Sequence, residues 1–129
     1  MGYRQTGSFG DPGAAFVFLI ANTNGKSNLQ LEFKLQSLDA VAAPARTVTW
    51  KVDYATGLNP GLFSTVTTSP ATLTTVNGVY ANTTVNVNFG SSLNNSSQPI
   101  WIRIVTLAPS TGGGNRPSTA VDDVKFSWN

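Results

Sequence analysis

The sequence contains no cysteine and no histidine, and only 11% of its 129 residues are charged. Without cysteine it has no disulfide, thiolate metal site or cysteine nucleophile. Without histidine it lacks the commonest general base and the commonest zinc ligand. The few charges are scattered and sum to +2, so no basic stripe predicts nucleic-acid binding. No apolar run reaches the roughly 20 residues of a membrane span, so we expect none.

Threonine, serine and asparagine supply the polarity that charged residues usually supply. A surface of hydroxyl and amide groups is typical of extracellular β-rich modules, and a small secreted eukaryotic module would usually carry a disulfide. We therefore expect a secreted or extracellular bacterial protein. No basic segment precedes the short apolar run at 14–21, so we expect no signal peptide in this chain. The length predicts a single domain over residues 1–129.

Apolar residues alternate with polar ones along several segments, and no segment shows helical periodicity. This period of two predicts strands at 29–35, 47–54 and 83–89, and apolar or β-branched runs predict further strands. Those further strands are expected at 3–8, 16–21, 62–67, 72–76, 99–108 and 120–128. Asn77-Gly78 predicts a hairpin turn. About eight strands with long connections predict an all-β fold, an antiparallel β-sandwich with jelly-roll (Greek-key) topology.

The segment PIWIRIVTLA at 99–108 predicts a strand in the middle of a sheet, because both of its faces carry bulky groups. In a jelly roll its neighbours would be the strands at 16–21 and 47–54. The outer face of this sheet would then carry Trp101, Arg103, Thr49, Lys51 and Asp53. An exposed indole flanked by hydrogen-bonding side chains predicts a sugar-binding surface. The alternative is that a loop covers Trp101 and that Arg103 forms a structural ion pair with Asp53.

The pair Asp122-Asp123 lies at the entry to the last predicted strand. Asp122 has the same parity as Val124 and Phe126, which predicts that it points inward. Since a buried unpaired charge is costly, this carboxylate needs a partner. It could accept hydrogen bonds from loop amides, pair with an arginine, or bind a structural calcium ion together with another carboxylate such as Asp11 or Asp39.

The acidic residues do not predict catalysis. A glycosidase needs two facing carboxylates, and no alternating pattern pairs any two of the six that are present. Serine and threonine nucleophiles have no histidine to activate them. We therefore expect a protein that is not an enzyme.

Four segments, LEFKLQSLDA, TVTWKVDYATG, IWIRIVTLA and STAVDDVKFSW, together resemble the jelly-roll accessory domains of large secreted, multidomain bacterial proteins. The closing motif around Asp122-Asp123-Val124 is also similar to the end of MAM-type and carbohydrate-binding-module sandwiches. The resemblance implies a non-catalytic extracellular module with flanking domains. It also implies a calcium ion near Asp122, the position that matches the inward aspartate of the last strand in carbohydrate-binding jelly rolls.

Two functions remain open at this point. The first is a carbohydrate-binding module that anchors a larger secreted protein to a polysaccharide or cell-surface glycan. The second is an adhesion or spacer module that contacts proteins or sister domains without binding glycan, for which we expect an exposed apolar surface.

Overall fold

A computed structural model describes residues 1–6, 11–40 and 45–129. Within these ranges the chain forms eleven strands and no helix. The strands are β1 (Gly2–Arg4), β2 (Ala15–Ile20), β3 (Gln30–Ser37), β4 (Arg46–Thr56), β5 (Ser64–Val66), β6 (Thr68–Ser69), β7 (Leu73–Val76), β8 (Ala81–Asn88), β9 (Ile100–Thr106), β10 (Thr111–Gly112) and β11 (Ser118–Ser127). The predicted all-β class is confirmed. The nine predicted segments, counted as about eight strands, become eleven because the region 62–76 forms three short strands instead of two and the connection at 109–118 contributes β10.

The strands form two antiparallel sheets that enclose the core. The first sheet has the order β1-β11-β3-β8-β6. The second has the order β10-β4-β9-β2, and β5 and β7 also pair with β4. The antiparallel two-sheet sandwich expected from the alternating strands is therefore present.

Most of the core consists of apolar positions that the alternation assigned to the inner faces; Leu93 and Val121 join it from positions that the alternation did not assign. On β3, Leu31, Phe33 and Leu35 are buried, and the inner residues of β4, β8 and β9 are buried with them. The contributions of these three strands are Val48, Trp50 and Val52, then Val85 and Val87, then Ile100, Ile102 and Ile104. A period of two is enough to predict this core because successive strand side chains point to opposite faces.

Strand β9 lies between β4 and β2, as predicted for the segment PIWIRIVTLA. Its register places Trp101 between Ala55 of β4 and Leu19 of β2. It places Arg103 between Asp53 of β4 and Val17 of β2. These two rows form the outer surface on which the predicted sugar site lies.

The Asn77-Gly78 turn does not close a hairpin. It connects β7 to β8, but β7 pairs with β4 in the second sheet and β8 pairs with β3 in the first. The hairpin prediction is therefore wrong, although Gly78 does adopt the positive φ, 94°, that the dipeptide predicts. The turn carries the chain from one sheet to the other. Residues 7–8 of the first predicted strand lie outside the described residues.

A chain of buried hydrogen bonds crosses the core between the sheets. The indole Nε1–H of Trp50 donates to the Thr75 hydroxyl at 2.9 Å, and that hydroxyl lies 2.9 Å from the hydroxyl of Thr119. Trp50 and Thr75 belong to the second sheet, whereas Thr119 belongs to β11 of the first. The backbone N–H of Val76 adds a second link by donating to the Ser37 hydroxyl at 2.9 Å.

Candidate functional site

Asp53 is the buried centre of the outer face of the second sheet, with a relative exposure of 0%. Its two carboxylate oxygens accept bonds from Nε and Nη2 of Arg103, each at 2.8 Å. The Lys51 Nζ lies 3.1 Å from one of the same oxygens. Asp53 is on the predicted outer face but is closed off from solvent there.

The cover comes from the connection between β4 and β5, at residues 57–63. The Phe63 ring lies over the Arg103 guanidinium, with Cζ 3.5 Å from the ring centroid. The indole Nε1–H of Trp101 donates to the Gly57 carbonyl at 2.9 Å. Both parts of the alternative considered above, the loop over Trp101 and the Arg103–Asp53 ion pair, are thus present. Trp101 is nevertheless only half-buried, so part of its ring still faces solvent.

An open cleft of about 400 Å³ lies against this exposed part of the indole. It is lined by Val17, Leu58, Asn59, Pro60, Phe63, Trp101 and Arg103. Trp101 and Phe63 supply aromatic surface, and Arg103 and Asn59 supply hydrogen-bonding groups. The cleft can therefore hold a small ligand that has one apolar face and polar groups at its edge.

The five predicted binding residues share one sheet face but do not meet in one cleft. Trp101 and Arg103 line the cleft, and Asp53 lies buried behind Arg103. Lys51 lines a different surface depression, together with Leu107. Thr49 lies one position further along the same face of β4, opposite Thr74 of β7. Strand parity identified the face correctly but could not identify which part of it is concave.

The loop residues that complete the cleft were missed by the sequence interpretation. Gly57, Pro60 and Gly61 are strong turn signals, so the sequence predicts only a turn at 56–61. Leu58 and Leu62 are 73% and 91% exposed. Two leucines in and directly after a Gly/Pro turn are the feature that could have indicated a loop with an apolar contact surface.

Asp122 does not point into the core. It is exposed, and its carboxylate accepts a hydrogen bond from the Asp123 backbone N–H at 2.9 Å. A β-bulge between Asp122 and Lys125 shifts the register of β11 against β3. Side chains two positions apart on opposite sides of the bulge, such as Asp122 and Val124, therefore need not point to the same face. The prediction of an inward Asp122 is therefore wrong, and calcium binding there stays a prediction.

The two carboxylates proposed to help Asp122 have other partners. Asp11 accepts bonds from the Ser110 N–H and hydroxyl, both at 2.6 Å, and from Arg116. Burial raises the pKa of the Asp11 carboxyl, but the Ser110 hydrogen bonds and Arg116 outweigh it and hold the pKa below its usual value. Asp39 pairs with Arg4 and accepts bonds from Ser118.

The acidic residues do not converge on a common point. In residues 1–6, 11–40 and 45–129, no three acidic, histidine or cysteine side chains are grouped so that they could hold one metal ion. Calcium binding by Asp122, Asp11 or Asp39 therefore stays a prediction.

A second, larger cleft of about 470 Å³ lies on the outer face of the first sheet. Two cross-strand rows of polar residues line it: Ser127, Gln30 and Asn88 in one row, and Lys125, Glu32, Asn86 and Ser69 in the other. It contains amide and hydroxyl groups but no aromatic ring. It therefore lacks the stacking surface that the Trp101 cleft offers.

The part of the chain that the structure describes contains no helix long and apolar enough to cross a membrane. Comparison of the chain with protein-family models, with curated proteins and with solved structures finds no match.

Proposed function

We propose that this protein is a non-catalytic, extracellular carbohydrate-binding module of a larger secreted bacterial protein, with its ligand in the Trp101 cleft. The observation that carries the proposal is the half-buried Trp101 ring, which faces an open cleft beside Phe63 and Arg103. The apolar face of a sugar ring stacks on an indole, and the hydroxyl groups at the ring edge need hydrogen-bonding partners.

Arg103 and Asn59 are the partners available for those hydroxyl groups. A guanidinium carries five N–H donors, and the two bonds to Asp53 leave others free to donate to a ligand. The Asp53 carboxylate and the Phe63 ring hold the guanidinium in place, so little side-chain entropy is lost when a ligand binds. The Asn59 amide is exposed at the cleft and can both donate and accept.

The proposal includes the jelly-roll topology and the flanking domains that the sequence resemblance implies. The strand orders β1-β11-β3-β8 and β2-β9-β4 support it, because adjacent strands within each sheet are distant in the sequence, as Greek-key crossings require. The low charge and the absence of cysteine support a bacterial extracellular location.

A specific observation favours the second candidate function, an adhesion or spacer module. Four apolar side chains around the cleft, those of Val17, Leu19, Leu58 and Leu62, are each at least 49% exposed. An apolar surface of this kind is also what a protein partner or a neighbouring domain would cover.

Affinity electrophoresis and a glycan array with the isolated chain test the proposal. We expect weak binding of a glycan, with a Kd of about 10–1000 µM. Trp101→Ala should weaken this binding at least tenfold without loss of the folded state, which circular dichroism would follow. Leu62→Ala removes an exposed apolar side chain from the loop at 57–63 that does not line the cleft, and should bind like the parent protein.

Two results would contradict glycan binding in this cleft. One is the absence of any retained glycan, which would favour the adhesion function. The other is retention that Trp101→Ala leaves unchanged; a loss of retention in Asn86→Ala would then move the ligand to the cleft on the first sheet.

A further inference from the structure

Strand β2 forms one edge of the second sheet, and the directions of its backbone groups follow from its bonds to β9. The Thr106 N–H donates to the Ala14 carbonyl at 3.1 Å, in line with the register that pairs Ala15 with Val105. In an antiparallel ladder, hydrogen-bonded positions alternate with positions whose groups point away. The N–H and C=O groups of Ala15, Val17 and Leu19 therefore point away from β9, toward the open edge.

Among residues 1–6, 11–40 and 45–129, this edge carries none of the usual protection against pairing with another strand. Edge strands are generally blocked by charged side chains, proline, bulges or very short length. Strand β2 has the six residues AFVFLI, without a charge, a proline or an irregular register. Among the described residues it pairs only with β9.

The side chains of β2 are also incompletely covered on both faces. On the outer face, Val17 is 49% and Leu19 57% exposed. On the inner face, Phe18 and Ile20 pack against the core but are only partly buried. In contrast, the inner isoleucines of the neighbouring strand β9 are completely buried. The sandwich is therefore less completely closed along this edge than at its centre.

We infer that β2 pairs with β2 of a second copy of this chain, antiparallel, about a two-fold axis at Val17. In this register Ala15 faces the partner's Leu19, and Val17 faces the partner's Val17. All three outward-pointing positions of each strand then form hydrogen-bonded pairs. The same register places Phe16 opposite the partner's Phe18, so inner residues face inner residues and outer residues face outer ones.

Charge on β2 does not oppose a second copy as the partner. A two-fold axis brings identical groups together, and like charges directly opposite each other destabilise a strand pair. No charged side chain lies on β2, and Arg103, which neighbours Val17 on β9, is already paired with Asp53. The net charge of +2 per chain opposes association only weakly.

Sedimentation velocity over roughly 10 µM to 1 mM, a range that covers weak association, tests this dimer. We expect the mass to rise with concentration toward twice the 13.6 kDa of one chain. Val17→Lys and Val17→Glu should each remain monomeric, since each places two like charges face to face across the axis. An equimolar mixture of the two variants should dimerise again, because Lys then faces Glu.

Leu62→Lys is the matched control, since it adds a charge to an exposed apolar position outside β2 and should dimerise like the parent chain. Amide hydrogen exchange of the unmodified protein provides a test that needs no substitution. The amides of Ala15, Val17 and Leu19 should become more protected as concentration rises. A parent chain that stays monomeric over the whole range, or a dimer that both Val17 variants retain, would overturn the inference.

Discussion

Asp53 is a buried carboxylate between two cationic side chains, and its removal would leave both cations without their partner. Arg103 and Lys51 both contact it, and their side chains are only 30% and 27% exposed. The loss of one partner from a buried ion pair is more costly than the net stabilisation that the pair provides, because the remaining charge is left uncompensated.

We expect Asp53→Asn, which keeps the shape of the side chain, to lower the free energy of unfolding by about 2 kcal/mol. Urea denaturation at neutral pH measures this change. Asp123→Asn is the matched control, because Asp123 is 61% exposed and its ion pair with Lys34 lies on the surface. The control should change stability much less. Equal effects of the two substitutions would show that burial of Asp53 does not determine its contribution.

The sequence predicts the sheet face on which Asp53, Arg103 and Trp101 lie, but not how far each side chain is buried. Parity along a strand fixes the side of the sheet toward which a side chain points. Exposure on that side depends on which loop lies above it, and the sequence of the loop at 57–63 predicts only a turn followed by the start of a strand. The ion pair was predictable as an alternative because it needs only the register of two neighbouring strands.

At the scale of the strands, the bulge in β11 is the feature that the sequence interpretation missed. The apolar alternation of Val124 and Phe126 was extended back to Asp122, but the register shifts between Asp122 and Lys125. Asp123 lies in the left-handed region with a φ of 49°. Aspartate tolerates this conformation better than most residues, so the sequence Asp-Asp-Val was compatible with a bulge without requiring one.

Comparison of two substitutions at Asp123 tests the role of the bulge. We expect Asp123→Val to be less stable than Asp123→Asn by about 1–2 kcal/mol, since a β-branched side chain is strained at positive φ. Both variants lose the ion pair with Lys34, so the difference between them reports on the backbone alone. Thermal unfolding of the two proteins measures it. Equal stabilities would mean that β11 can remove the bulge at little cost.

Long alternating strands were the most predictable elements, and short connecting strands the least. Strands β3, β4 and β8 each repeat the apolar-polar pattern several times. The face that the pattern makes apolar is the face that is buried. Strands β5, β6 and β7 have only two to four residues, and the threonines that fill them do not distinguish an inner from an outer face. The sheet that each joins is decided by contacts with β4 and β8, which no local pattern encodes.

At the scale of the whole molecule, the two sheets are joined by polar bonds as well as by apolar packing. Thr75 is central to these bonds because its hydroxyl contacts both the Trp50 indole and the Thr119 hydroxyl. All three side chains are almost completely buried. A buried donor that loses its partner retains its full desolvation cost, so a single substitution in this chain affects both sheets.

Replacing Thr75 with valine keeps the volume of the side chain but leaves the indole N–H and the Thr119 hydroxyl without a partner. We expect Thr75→Val to lower the free energy of unfolding by about 2 kcal/mol, measured by urea denaturation. Thr119→Val should cost less, since the Trp50–Thr75 bond survives it. The double variant should be more stable than the sum of the two single effects predicts, because the second substitution removes the hydroxyl that the first left unpaired. Strictly additive effects would mean that the two hydroxyl groups do not interact across the two sheets.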